Sequence, residues 1–376
     1  MTDSDAAPTA RIRVAVVFGG RSSEHQVSCV TAGSVLSAID RDRYDVVPIG
    51  VTREGRWVLA ADEPGRLTIT GRSLPEVDGA GASVVLAGDP TRRDLMVSEP
   101  TDVPTELGAV DVVFPLLHGP YGEDGTIQGL LELAGVPYVG SGVFASAAGM
   151  DKGHMKAMLQ AAGLPVGPYA VVTERDWDRD KAAVRETAHS LGFPLFVKPA
   201  RAGSSLGIVK AHDAGELDAA IDEARRHDPR VVLEALIEGR EIECGVLEGL
   251  QGADPDVSVP GEVVVGGGHE FYDFAAKYLP DEGTELVIPA DLPAEVAGEV
   301  QELAARAFTA LSCESLARVD FFVHDNGRVV INEINTMPGF TPVSMFPLLW
   351  RESGIGYPEL VDRMIQSALS RRPGLR

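Results

Sequence analysis

The sequence predicts an α/β and α+β protein: a parallel α/β domain at the N-terminus, followed by smaller mixed units. Three observations carry this reading. Residues 11–19, RIRVAVVFG, form the nearly continuous apolar run that a parallel strand buried on both faces requires. A Gly19-Gly20 turn, a helical pattern over 22–39 and a second strand at Val46–Val51 then give the strand–helix alternation of a parallel sheet. At 376 residues the chain also exceeds what one core holds, so two or three domains are expected.

Each element has its own local reason. Ser22 or Ser23 is the expected N-cap of the first helix. The stretch near 60–108 is rich in loops and reads as an antiparallel excursion, after which a third strand, Val110–Leu117, ends in His118-Gly119. A helix is expected over Met150–Ala162, stopped by Gly163 and Pro165. Strands near Tyr169–Val172, Leu195–Lys198, Ile208–Lys210 and Val231–Glu234 make a mixed unit over 141–237. The last third carries strands at Ile242–Glu248 and Val263–Val265, a Gly-rich segment, a helix near 293–312 and a hairpin over 316–339.

Composition excludes several classes. With 44% hydrophobic and 24% charged residues the chain is an ordinary folded protein, and no apolar run approaches the ~20 residues a membrane helix needs. The start, MTDSDAAPTA, is acidic and polar, the pattern of a disordered tail and not of a signal peptide. Cys29, Cys244 and Cys313 are odd in number and unrelated in spacing, which argues against a disulfide framework or zinc site and fits a reducing cytosol. A net charge of −23 disfavours nucleic acid or an anionic membrane as partner. Any anionic ligand must therefore be held by local cations. Only six lysines occur (152, 156, 181, 198, 210 and 277), so where lysine persists a point charge is a candidate requirement.

The hairpin LARVDFFVHDNGRVVINEINTMPG carries the sharpest chemical signal. Asn326-Gly327 favours a two-residue type I′ turn. With Asp325 opposite Arg328, Asp320 faces Glu333 and Arg318 faces Asn335, all on one side of the sheet. Opposed carboxylates repel, so this face is either a solvated acidic surface or a cation site. Its oxygen ligands suit Mg²⁺ completed by an anionic substrate.

Other motifs divide in the same way. KPARAGSSLG at 198–207 sets Lys198 beside Gly203, Ser204, Ser205 and Gly207, either a plain turn or a loop whose N–H groups and hydroxyls meet phosphate. It is not a Walker A loop, because no Gly-Lys dipeptide occurs. GGRSSEH lacks the GxGxxG spacing, so a dinucleotide reading is weak. Glu24 there either answers the helix dipole or pairs with a substrate ammonium. HGPYGEDGTIQG at 118–129 crowds His118, Glu123 and Asp124 into a strand-to-helix turn, as surface and capping residues or as chemistry. Glycines 266–268 precede Tyr272, Lys277 and Tyr278, the makings of a closing lid or of a surface loop near 266–285.

HGPYGEDGTIQG, together with ARVDFF at 317–322 and INEINTMPG at 331–339, resembles the signatures of D-alanine–D-alanine ligases of the ATP-grasp superfamily. The resemblance spans Gly19 to Met345. It implies a three-domain ATP-grasp fold: a Rossmann-like domain at 1–140, a central subdomain at 141–237 and a C-terminal subdomain with the lid at 238–376. It further implies ATP, two Mg²⁺ ions with Mn²⁺ as an alternative, D-alanine as substrate, a cytoplasmic homodimer and a place in peptidoglycan synthesis.

By the same resemblance, Asp320, Glu333 and Asn335 are similar to the family's metal ligands. Lys152 and Lys198 look like its phosphate-binding lysines, and Ser205 belongs to the same nucleotide loop. Glu241 resembles the ribose acid, and Glu234 and Ile237 the adenine-site residues. Ala235 departs from a lysine often found there. Glu24 resembles the group holding the first D-alanine's ammonium, with His118 near it, and Ser204 and Tyr278 the pair that links it to the lid. Arg318 and the Gly339 N–H resemble the oxyanion hole, while Ser344 and Lys277 resemble groups around the second substrate and the transferred phosphate. Phe274 stands where some members have tyrosine. Tyr278 favours the dipeptide product over D-alanine–D-lactate or D-alanine–D-serine. A non-catalytic ATP-binding module and a dinucleotide oxidoreductase are the readings from other classes.

Overall fold

The computed structural model describes residues 11–71, 73–98, 105–203, 206–265 and 284–371. Three sheets follow one another along the chain. In the first, the buried run Ile12–Gly19 lies between two parallel neighbours, Tyr44–Val51 and Val112–Pro115. Trp57–Leu59, Ser83–Leu86, Asp94–Ser98 and Thr105–Ala109 extend that sheet as antiparallel strands, the excursion expected near 60–108. The expected strand Val110–Leu117 shortens to Val112–Pro115.

The second sheet is antiparallel, in the order Val209–Ala211, Leu195–Pro199, Arg230–Ala235, Tyr169–Thr173. The third sets Leu316–Val323 between Arg240–Leu247 and Val329–Asn335, with Gly261–Val265 and Thr284–Val287 beyond. The C-terminal helix Tyr357–Ser370 packs back on the first sheet: Leu360, Val361, Met364, Ile365 and Ala368 are buried with Val14, Val16 and Phe18. Each such large apolar side chain contributes roughly 1.5–3 kcal/mol by leaving water.

Helix starts differ from expectation at two sites. The first helix is His25–Ala38, and Glu24, not Ser22 or Ser23, occupies its N-cap with no side-chain capping bond. Ser22 Oγ instead donates to the His118 carbonyl at 2.7 Å and accepts from the Glu24 N–H at 3.2 Å, so the residue that would cap ties the helix start to the strand-end loop. The helix expected over Met150–Ala162 is two helices, Val143–Met150 and Lys152–Ala161. They meet at Asp151, whose carboxylate accepts from the Gly153 and His154 N–H groups and starts the second.

The hairpin turn also differs. The His324 N–H bonds to the Arg328 carbonyl, so three residues form the loop, and Gly327 takes a left-handed φ of +81°. Val323 pairs with Val329 and Phe321 with Ile331, one residue out of the expected register. A bulge at Asn332 then restores it, and Asp320 faces Glu333 and Arg318 faces Asn335. The opposition is as expected, but the bulge produces it.

Candidate active site

Residues from the second and third sheets, and from the helix and loops that follow strands of the first, line one cavity of about 600 Å³, a size suited to a nucleotide and small co-substrates. On its C-terminal side, Glu243, Asp320 and Glu333 stand in register across three adjacent strands. Alternation points the neighbours Val319, Phe321 and Ile334 into the core beneath. Arg318 offsets the acids. Its Nε and one terminal nitrogen each donate to Asp320 at 2.7 Å, and Nε lies 2.9 Å from Glu243 Oε2. Burial opposes the charge on Arg318, yet Asp320 and Glu243 raise its pKa well above the ordinary value. Asn335 Nδ2 donates to Asp320 at 2.9 Å.

This face fits a divalent ion that shares its ligands with a substrate. Among the described residues no three His, Cys, Asp or Glu are grouped to hold an ion alone. Asp320, Glu333 and the Asn335 amide supply two carboxylates and a carbonyl oxygen. That donor set matches Mg²⁺, which takes one or two carboxylates and completes its shell with phosphate and water.

Cations gather on and behind the next wall. Lys152 Nζ donates to the Ala202 carbonyl at 2.9 Å and lies 4.0 Å from Glu333. Lys198 Nζ donates to Glu234 Oε2 at 2.7 Å, and Lys156 Nζ sits 3.3 Å from Glu234 Oε1. Burial alone would raise the Glu234 carboxyl, but Lys156 and Lys198 hold it down at about 2. Ala235, Ile237 and Glu241 line the cavity beside it.

The N-terminal end brings Glu24 and His118 to the same space. A Cβ on Gly119, whose φ is +69°, would lie 2.6 Å from Glu24 Oε2, and one on Gly203 would lie 2.4 Å from it. Glycine at both positions is what lets the two loops close around this carboxylate. His118 Nδ1 lies 3.2 Å from the Met337 carbonyl, and burial lowers its pKa despite Glu24, so the ring is neutral. Glu123 accepts from the Gly119 N–H at 2.6 Å and from the Met337 N–H at 3.2 Å; burial and Glu24 push its carboxyl up to about 8. Gly339 and Ser344 close this end, and the Ser344 hydroxyl accepts from the Thr341 N–H at 3.1 Å.

Every site residue expected from sequence within the described residues therefore reaches one cavity. Ser204, Ser205, Phe274, Lys277 and Tyr278 lie outside the described residues, as does the lid expected near 266–285 except for its last two residues, which begin a strand. Sequence reasoning passed over Lys156, Glu243 and the role of Glu123. Lys156 had a signal, since it stands four residues after Lys152 on a helix and shares its face. Cys29, Cys244 and Cys313 are buried free thiols, pushed up to about 12 by burial. No helix among the described residues is long and apolar enough to cross a membrane.

Sheets, cation wall and acidic face together are those of a multidomain ATP-grasp fold. Residues 13–141 match the family model described as "D-ala D-ala ligase N-terminus", and 158–366 match "D-ala D-ala ligase C-terminus". The D-alanine–D-alanine ligase of Streptomyces griseus subsp. griseus is 60% identical over all of this chain and 97% of its own length. That of Pseudarthrobacter chlorophenolicus is 58% identical over 100% of this chain and 99% of its own. Among solved structures, a D-Ala:D-Ser ligase from Enterococcus faecalis superposes with a TM-score of 0.81 at 34% identity, covering 96% of this chain and 100% of its own. The D-alanine–D-alanine ligase from Coxiella burnetii gives 0.80 at 33%, covering 97% and 95%. The chain belongs to the D-alanine–D-alanine ligase family.

Proposed function

We propose that this chain joins two D-alanine molecules into D-alanyl-D-alanine for peptidoglycan synthesis, with ATP cleaved to ADP and phosphate, through the residues gathered in the cavity. The observation that carries this is the placement of Asp320 opposite Glu333, with Lys152 and Arg318 beside them and Glu24 lining the same space. One end offers a carboxylate to an ammonium. The other offers cations and oxygen ligands to a phosphate chain.

Glu24 binds the first D-alanine by its ammonium, with His118 close by. The substrate carboxylate attacks the γ-phosphate, the bond to the ADP oxygen breaks, and an acyl phosphate remains. Lys152, Lys198 and the loop through Ser205 hold the phosphates; Glu234 and Ile237 border the base, and Glu241 the ribose. Asp320, Glu333 and Asn335 would hold two Mg²⁺ ions, with Mn²⁺ as an alternative, which would neutralise phosphate charge. The second D-alanine, held near Ser344 and Lys277, attacks the acyl carbon as a free amine, and phosphate leaves. Arg318 and the Gly339 N–H face the oxyanion, where one preorganised donor contributes roughly 3–4 kcal/mol. Ser204, Tyr278 and the lid keep water from the acyl phosphate. Domains at 1–140, 141–237 and 238–376, a homodimer and a cytoplasmic setting complete the reading.

Coupled ADP release with D-alanine, and identification of the product, test it. D-alanyl-D-alanine should dominate when D-alanine, D-lactate and D-serine compete. A dominant depsipeptide or D-alanyl-D-serine would move the chain to a sister activity, and no D-alanine-dependent ADP release would leave an ATP-binding module.

A further inference from the structure

A β-bulge takes backbone groups out of the ladder, and buried groups so released must find other partners. At the Asn332 bulge both partners come from one helix, Lys152–Ala161. Lys156 Nζ donates to the Asn332 carbonyl at 2.8 Å, and the Ile334 N–H donates to Met155 Sδ at 3.3 Å. Lys156 is only 2% exposed and does not border the cavity, so it touches no substrate. Its second contact is Glu234, on the central sheet.

The bulge decides which side of the sheet the acids face. Turn-proximal pairing has Phe321 opposite Ile331. Continued without a bulge, it would put Asn332 opposite Asp320 and turn Glu333 and Asn335 towards the core.

We propose that Lys156 is a positioning residue for divalent-ion binding: its ammonium holds the Asn332 carbonyl, fixes the bulge, and so keeps Glu333 and Asn335 on the side of Asp320. This rests on the proposed metal role of those three residues. Lysine suits the task, because a long stem with a compact charge can meet a single carbonyl, whereas arginine presents a planar fork matched to paired oxygens.

The test is Mn²⁺ binding to the full chain by electron paramagnetic resonance at saturating ADP, with the thermal transition followed by circular dichroism. Lys156→Met should weaken Mn²⁺ at least about tenfold while a cooperative transition remains. Because that variant leaves Glu234 short of a cation, Lys156→Met/Glu234→Gln is compared with Glu234→Gln alone and should show the same loss. Mn²⁺ binding at reference strength in either folded Lys156 variant would overturn the assignment. So would failure of both to fold, which would make Lys156 a stabilising group only. Wild-type ADP release with D-alanine reads the proposed reaction separately: its absence would sink that reaction, whereas unchanged Mn²⁺ binding sinks only the role of Lys156.

Discussion

The Arg318 guanidinium clasps the Asp320 carboxylate through two hydrogen bonds of 2.7 Å, while Glu243 approaches the same Nε at 2.9 Å. One terminal nitrogen is left over by these contacts. The fork is thus preorganised by the acids beside it, at a small further cost when charge develops on a substrate oxygen. Arg318→Lys keeps the charge and loses the fork. Turnover in the ADP-release assay should fall on the order of 10²-fold or more, with the ATP KM changed far less. An equal change in both would make Arg318 a ground-state binding group.

Glu333 is partly exposed, faces Asp320 and lies 4.0 Å from Lys152. Glu333→Gln keeps the shape and removes the charge, so the fold should persist. Turnover should drop sharply, and the Mg²⁺ needed for half-activation should rise. Near wild-type activity at saturating Mg²⁺ would remove Glu333 from the metal site.

The hairpin shows what was legible in the sequence and what was not. Alternation along Arg318–Asp320 and Glu333–Asn335 revealed the shared face, because side-chain direction in a strand is local. The turn was misread: Asn-Gly satisfies both two-residue and three-residue loops, and the choice depends on how both strands pack. The bulge had left a trace, since Ile331 and Ile334 both enter the core yet are three residues apart, breaking the period of two. Glu243 was harder. Nothing near it in sequence signals the register that sets it against Asp320 on a strand some seventy-five residues earlier. Lys156 was visible as a rare lysine, but its partner is a backbone carbonyl, which carries no sequence signature.

Gly203 presses on Glu24 so closely that an added Cβ would sit 2.4 Å from Oε2. Gly203→Ala must push the carboxylate or the loop aside. Since Glu24 is proposed to hold the first D-alanine, the KM for that substrate should rise about tenfold or more, with ATP binding and the melting temperature little changed. Isothermal titration with D-alanine and with ADP separates the two. Weakened ADP with unchanged D-alanine would mean that the glycine serves the nucleotide loop alone.

Glu234 makes the pH dependence of stability specific. Its carboxyl ionises at about 2 in the folded protein against an ordinary 4.5, held down by Lys156 and Lys198 although burial opposes it. Between those two values the unfolded chain binds more protons than the folded one, so stability rises with pH there. The contribution, on the order of 3 kcal/mol for a shift of this size, is fully present above about pH 4.5. It is lost as the pH falls towards 2. Thermal melts from pH 6 down to pH 3 should therefore show a steeper acid-side fall for the wild type than for Glu234→Gln, which lacks the titrating group. At pH 6 the variant should be the less stable, because it leaves two buried ammonium groups without their carboxylate. Parallel pH profiles would show that the Lys156–Glu234–Lys198 cluster does not couple folding to protonation.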